Sequence, residues 1–406
     1  MESATTQPSK MQVSVTAVLW LALLLNGCSI LGMPQALGPV LIAGAGIALL
    51  FVCALNGSFR QTHRYSLLLL GVADLMWQTL AASLSYSSQK SMLILASATF
   101  IAVLAVTMSG IRAAIDGFIW AGSFALAGGW VAQFLGLTSG DLKTGFAWSL
   151  FDLRHTGLSS TSNSQGRLAC VVLVMLLGSR VPWRKALIGV AAVSLVAAES
   201  RAAIVGLLVA GLVMVVTSSQ RSVRVRGLIA FAGVAMAAPS AVFSARADSV
   251  GDVTTGRSFI WSICSSLVSD QPWYGNGAGA VMRLFKVGET MPGSHCHDQL
   301  LDNLVNFGWI SATLTAVIFV LSIIRPALSR SRRQLAIAVA IVSMCIAESP
   351  LRFWLGKDNI HLYVLLLGLL ATSQSANSDR HLISTRPQKR QPDENGPRKE
   401  MASART

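Results

Sequence analysis

The sequence predicts an all-α, polytopic integral membrane protein of about 12 transmembrane helices, with a long outer loop carrying short interfacial helices. Three observations predict it. Of 406 residues, 53% are hydrophobic and only 12% charged, about half the charged share of an ordinary soluble domain. The mean hydropathy is +0.58. Apolar runs of roughly 20 residues, long enough to cross a bilayer, recur along the whole chain.

In chain order the spans fall at about 13–32, 35–55, 65–84, 91–108, 115–137, 167–179, 186–200, 202–217, 227–244, 304–324, 334–348 and 360–373. Spans six (167–179) and twelve (360–373) are short for a bilayer. Spans seven and eight read as a tight pair bent at Ser200-Arg201. The chain then divides into a cytoplasmic stub (1–12), a transmembrane domain (13–372) and a basic tail (373–406). The stretch at 25–28, LNGC, is a poor relative of a lipoprotein cleavage box, so span one reads as an uncleaved anchor and Cys28 as unacylated.

The formal net charge is +14, and its placement argues for topology rather than nucleic acid. With the N-terminus inside, the cytoplasmic linkers carry Arg60 and Arg64; Arg112; Arg180, Arg184 and Lys185; Arg221, Arg224 and Arg226; and Arg325, Arg330, Arg332 and Arg333. These linkers are short, the regime in which positive charge sets orientation. The tail adds Arg380, Arg386, Lys389, Arg390, Arg398, Lys399 and Arg405 together with Pro387, Pro392 and Pro397, and reads as solvated and disordered. Both termini are therefore cytoplasmic, and the bilayer is the first partner.

Two long segments, about 138–166 and 245–303, then lie on the opposite face with nearly balanced charge. Long loops between spans are uncommon unless functional, which places any chemistry outside. Within 254–286, Phe259, Ile260, Ile263 and Leu267 recur at helical spacing with Trp261 on the flank, predicting an interfacial helix after Arg257. The run PWYGNGAG at 272–279 follows as a flexible turn. Its glycines look like a nucleotide loop, but no strand precedes them, so that reading is rejected.

The most polar stretch, GSHCHDQLLDNLVNFG at 293–308, enters span ten. His295, Cys296, His297 and Asp298 are zinc-type ligands, yet no second ligand pair accompanies them, and no metal site is assigned. A histidine on the outer face near its ordinary pKa suits proton removal from a hydroxyl. Arg201, at the outer edge beside the first turn of span eight, is either a snorkelling anchor or a fork for phosphate oxygens. Within the spans the ionisable groups are Asp74, Glu199 and Glu348. Asp74 reads as a hydrogen-bonded carboxyl joining helices, with a proton path as the alternative. The six cysteines (28, 53, 170, 264, 296 and 345) show no metal spacing. Cys264 and Cys296 could sit on an oxidising side, but nothing in the sequence pairs them.

Taken in order, ESRAAIVGLL at 199–208, GR-x-x-I-W at 256–261, P-x-x-G-x-G-x-G at 272–279 and H-D-x-x-L-x-x-L-x-x-x-G at 297–308 resemble the O-antigen ligase and polymerase superfamily of bacterial envelope glycosyltransferases. The segment RHTGLSSTSNSQGRLA at 154–169 is similar to the family's arginine-and-glycine segment. The resemblance covers about 150–310. It implies transfer of a glycan from undecaprenyl diphosphate to an acceptor hydroxyl, on the periplasmic side of the inner membrane, without metal or other cofactor. His297 aligns with the family's catalytic histidine, Arg201 and Arg257 with its diphosphate-binding arginines and Arg154 with a supporting basic residue; Asp298 and His295 flank the histidine. The implied partners are the lipid-linked donor, a glycan or lipid-linked glycan acceptor and a chain-length regulator or other envelope polysaccharide machinery.

Two residues depart from the family pattern. Asp298 stands where Asn is usual; it could raise the pKa of His297, orient its ring or mark a divergent acceptor. Glu199 replaces a small neutral residue near Arg201. Within the superfamily the sequence favours an exopolysaccharide or O-antigen polymerase, with a ligase to lipid A-core as the alternative. A transporter or flippase is the alternative of another class, kept open by Asp74, Glu199 and Glu348.

Overall fold

The computed structural model describes residues 8–25, 37–55, 68–84, 89–135, 158, 161–198, 200–217, 257–281, 296–329, 331–348 and 360–372. Among these residues every regular element is a helix and there is no strand. In order they are α1 (Lys10–Leu25), α2 (Leu37–Leu55), α3 (Leu68–Leu84), α4 (Gln89–Ser109), α5 (Ile111–Phe134), α6 (Ser162–Leu177), α7 (Arg184–Ala198), α8 (Arg201–Val216), α9 (Arg257–Asp270), α10 (Gln299–Leu328), α11 (Arg332–Ala347) and α12 (Ile360–Thr372). Ten expected spans coincide with helices to within five residues, the first shares 13–25 with α1 while 26–32 lies outside the described residues, and α9 is the helix expected after Arg257. Span nine (227–244), most of the two long outer segments and the tail lie outside the described residues.

Two helices, Ile111–Phe134 and Gln299–Leu328, have the length and composition to cross a bilayer; most of the others are shorter apolar helices. Large apolar side chains point outward from the bundle, among them Phe51, Phe124, Phe134, Val196 and Leu328. Polar groups turn inward instead: Gln12, Asp74, Gln78, Arg167, Asn303, Asn306 and Glu348 are all buried. That inverted distribution is costly in water and natural in lipid.

The bundle is organised around α12, whose residues from Ile360 to Ala371 are all buried. It touches α1, α3, α4, α5, α10 and α11. Trp20 fixes α1 on α5, donating from Nε1 to the Ala114 carbonyl at 2.9 Å and meeting Phe118 edge-on at 4.9 Å. Close approach of α8 and α11 depends on Gly206, where a Cβ would lie 2.9 Å from Met344 and 3.0 Å from the Ala340 carbonyl. Helix association in lipid relies on such packing, because lipid tails supply no hydrophobic drive. The expected pairing of spans seven and eight is not what forms: α7 packs on α6 and α5, while α8 packs on α11 and α6. Ser200 instead seats the start of α8 on Gly166 of α6.

The arginines at one end of the bundle close α6. Arg333 donates to the Met175 carbonyl and Arg184 to the Leu177 carbonyl, each at 2.9 Å, where the helix dipole favours cations.

Candidate active site

The polar stretch that opens span ten folds as an N-capped helix that then breaks. Asp298 is the N-cap of α10, with extended backbone, and its carboxylate accepts from the Leu301 N–H at 2.9 Å. Burial pushes its carboxyl above the ordinary range, while the backbone N–H groups of Leu301 and Leu300 pull the other way. The departure from Asn therefore has a structural use, since Asp and Asn serve equally well as caps.

His297 precedes the cap with φ +51°. The left-handed region costs a non-glycine residue on the order of 1 kcal/mol and persists only where the surroundings impose it. Here they do, on both sides. Cys296 is joined by a disulfide to Cys264 of α9, with Cα atoms 6.0 Å apart. Its carbonyl accepts from Trp261 Nε1 at 2.8 Å, and its N–H donates to Asp302 Oδ1 at 3.2 Å. The histidine itself is half-buried.

Eleven residues after His297, Gly308 takes φ 76° and ψ −174°, which interrupts α10. The carbonyls of Val305, Asn306 and Phe307 thereby lose their helical donors. Replacement donors arrive from outside the helix: Asn276 N–H to Val305 at 2.7 Å, Gly277 N–H to Asn306 at 3.0 Å and Trp77 Nε1 of α3 to Phe307 at 2.8 Å. In return the Trp309 N–H donates to the Pro272 carbonyl at 2.9 Å. A broken helix at membrane depth is tolerated only when its freed backbone groups are satisfied in this way. The PWYGNGAG run is thus the plug for the break. A Cβ on Gly308 would overlap the Trp273 carbonyl, and one on Gly275 the backbone of Asn306 and Phe307. Asn306 Oδ1 completes the seam by accepting from the N–H groups of Gly279 and Ala280.

A second polar cluster lies at the starts of α6 and α8. Arg167 pairs with Glu348, just past α11, at 2.6 Å, and both side chains are almost fully buried. Asn163 Nδ2 donates to the other Glu348 oxygen at 2.8 Å, and Arg167 also donates to Ser164 Oγ at 2.9 Å. The neighbouring Gly166 packs on Ser200, the N-cap of α8, so Arg201 follows directly with an exposed side chain. The starts of α6 and α8 and the end of α11 therefore share one end of the bundle, and α11 also packs on α10.

Arg154, Glu199 and His295 lie outside the described residues, as does the side chain of Arg257, which is placed only as the first residue of α9. Asp74 is fully buried and takes hydrogen bonds from Ser311 at 2.8 Å, Gln78 at 3.0 Å and Tyr363 at 3.0 Å. That is the arrangement of a carboxyl joining α3, α10 and α12. Sequence reasoning missed Arg167, which it left as the first residue of span six, and the role of Gln299, Asp302, Asn303 and Asn306. Their helical spacing in an apolar chain was a legible signal of one buried polar face.

The helical bundle keeps large apolar side chains outside and polar ones within, and two of its helices have the length and composition to cross a bilayer. Residues 168–316 match the family model Wzy_C, described as O-antigen ligase. The match runs from α6 through His297 to the far side of the α10 break, and it supports the O-antigen ligase and polymerase superfamily that the motifs resemble. Members of this family are glycosyltransferase-like proteins of the bacterial inner membrane that use lipid-linked glycans. No curated protein matches the chain.

Proposed function

We propose that the chain is an inverting glycosyltransferase of the periplasmic face, moving a glycan from polyprenyl diphosphate to an acceptor hydroxyl, and that it acts as an exopolysaccharide or O-antigen polymerase. The observation that carries this reading is His297, fixed in a left-handed conformation before the capped start of α10, inside the segment that matches the family. In the proposed step the imidazole takes the acceptor's hydroxyl proton as that oxygen bonds to the anomeric carbon. The bond from that carbon to the diphosphate oxygen breaks on the opposite face, which inverts the configuration. Polyprenyl diphosphate is already a stabilised leaving group, so the step uses no general acid and no metal. Arg201 and Arg257, supported by Arg154, neutralise the charge that grows on the diphosphate. His295 is a lesser neighbour. Around this site the reading places twelve spans, both termini in the cytoplasm and the 245–303 loop in the periplasm. A disulfide at Cys264 and Cys296 supports that side assignment, because such bonds persist in oxidising compartments.

The second reading, a ligase that passes the glycan to lipid A-core, is favoured by the description of the matching family. One experiment tests both. His297→Ala and Arg201→Ala should each abolish chain extension while membrane levels stay normal, and chelator should change nothing. A deletion strain that accumulates single lipid-linked repeats identifies a polymerase; full-length unattached chains identify a ligase. Full-length attached polymer in the His297→Ala strain sinks both.

A further inference from the structure

We propose that the disulfide between Cys264 and Cys296 is a positioning device for His297, holding the imidazole in its working orientation; this rests on the reading of His297 as the base. Both sulfurs are fully buried, in a small apolar cluster with Ile260, Ala280, Val281 and Val305. Cys296 is held at three points: the covalent bond, the Trp261 hydrogen bond to its carbonyl and the Asp302 hydrogen bond from its N–H. Two of the three come from α9. On the other side, Asp298 is fixed by the cap of α10. His297 is the one residue between these mounts, and its φ of +51° is the conformation the two together impose.

The packing makes the disulfide's role specific to position rather than to folding. Leu267, Val268 and Leu301 pack on the same cluster, and α9 lies along α10. Those contacts remain when the sulfur bond is opened, so α9 stays docked. What relaxes is residue 296, and with it the backbone angle of its neighbour. A shift of about 1 Å at a reacting group costs up to about 100-fold in rate.

The test uses the full-length protein purified in detergent with an undecaprenyl-diphosphate-linked glycan as donor. Non-reduced peptide mapping should show the linked Cys264 and Cys296 peptides. Cys53, Cys170 and Cys345 are free and buried and do not compete for this pairing. Treatment with a phosphine reductant, with one water consumed, converts the bond to two thiols and the phosphine to its oxide. It should lower kcat by about tenfold or more with the donor KM within about threefold. Oxidised glutathione, which re-forms the bond by exchange and releases two glutathione thiols, should restore kcat. A variant carrying both Cys264→Ser and Cys296→Ser should show the same low kcat and no response to reductant.

A peptide map without the linked pair overturns the proposal, as does wild-type kcat in the reduced protein. A loss that glutathione cannot reverse also overturns it, because that marks the bond as a fold constraint only. His297→Ala is assayed in parallel. If it retains activity, the reading of the site falls and the positioning role falls with it. If it is inactive while the double serine variant is fully active, only the disulfide proposal falls.

Discussion

Asn303 Nδ2 donates to Thr315 Oγ1 across 2.7 Å, although 12 residues separate them within α10. A straight helix would hold them about 18 Å apart. The contact exists because α10 turns back at Gly308 and lays its first arm, 299–307, along its second. The bend creates a polar column in which each donor points the same way. Gln299 Nε2 donates to Asn303 Oδ1 at 2.9 Å, Asn303 to Thr315, and Thr315 to the Asp74 carboxylate at 3.5 Å. The arm that starts beside His297 is thereby tied to α3 and, through Tyr363, to α12.

Asp74→Ala should therefore destabilise the protein strongly. It removes the acceptor of the Ser311 hydroxyl and the Gln78 amide in a buried site, at about 1–3 kcal/mol for each stranded group, and leaves the Tyr363 hydroxyl only the Gly71 carbonyl at 3.4 Å. Asp74→Asn keeps the volume and one acceptor oxygen, and should lose less. Thermal unfolding in detergent gives the order: wild type, then Asn, then Ala. Equal stability of wild type and Ala would show that the column ties nothing.

The plugged break makes a sharper demand. Gly308→Ala and Gly275→Ala should each abolish accumulation in the membrane or lower stability severely, by ~2 kcal/mol or more. Both positions have positive φ, and both Cβ atoms would meet backbone rather than yielding side chains. Gly189, where a Cβ meets nothing within 4 Å, is the internal control. Gly189→Ala, inside α7, should be at least as stable as wild type in the same measurement.

These relationships explain what could be read from the chain and what could not. Helix positions were legible because a run of apolar residues is long or it is not. The helix after Arg257 was legible from the spacing of Phe259, Ile260, Ile263 and Leu267. The break in α10 was invisible: Gly308 sits in an apolar run that reads as one uninterrupted span. The central place of α12 was also hidden, because lipid and protein interior are equally apolar and a hydrophobic helix does not declare which it faces. Pairing of Cys264 with Cys296 depends on a distance across 32 residues that no local pattern encodes. His297 stood out by chemistry, whereas what holds it had to come from three dimensions.

The Arg167 and Glu348 pair should behave as a buried ion pair with one essential partner on each side. Arg167→Ala or Glu348→Ala alone strands a charge and should cost about 3–5 kcal/mol. The two changes together should cost clearly less than the sum, and Arg167→Met with Glu348→Leu should approach wild-type stability. A double-mutant cycle by thermal unfolding measures this directly. Strict additivity would mean the pair is not coupled, despite its 2.6 Å separation.

Asp298 separates a capping role from an electrostatic one. If its carboxylate acts as the α10 cap, Asp298→Asn keeps the function, since Asn caps at least as well, whereas Asp298→Ala loses about 1 kcal/mol. Chain extension by the Asn variant should then stay within about threefold of wild type, and the Ala variant should fall further as the mount of His297 loosens. The pH dependence carries a definite sign. Burial raises the folded-state pKa of this carboxyl, so its contribution to stability is present below the unfolded pKa and is lost as pH rises through the raised folded value. Asn removes that loss. Relative to wild type, Asp298→Asn should therefore gain stability as pH rises through that window, and the gain should vanish in acid, where the wild-type carboxyl is protonated in both states. Unfolding midpoints of the two proteins across the acid range check this. A stability gap that widens toward acid, or an Asn variant that folds normally and cannot extend chains, would assign Asp298 to the chemistry of His297 instead of to the helix.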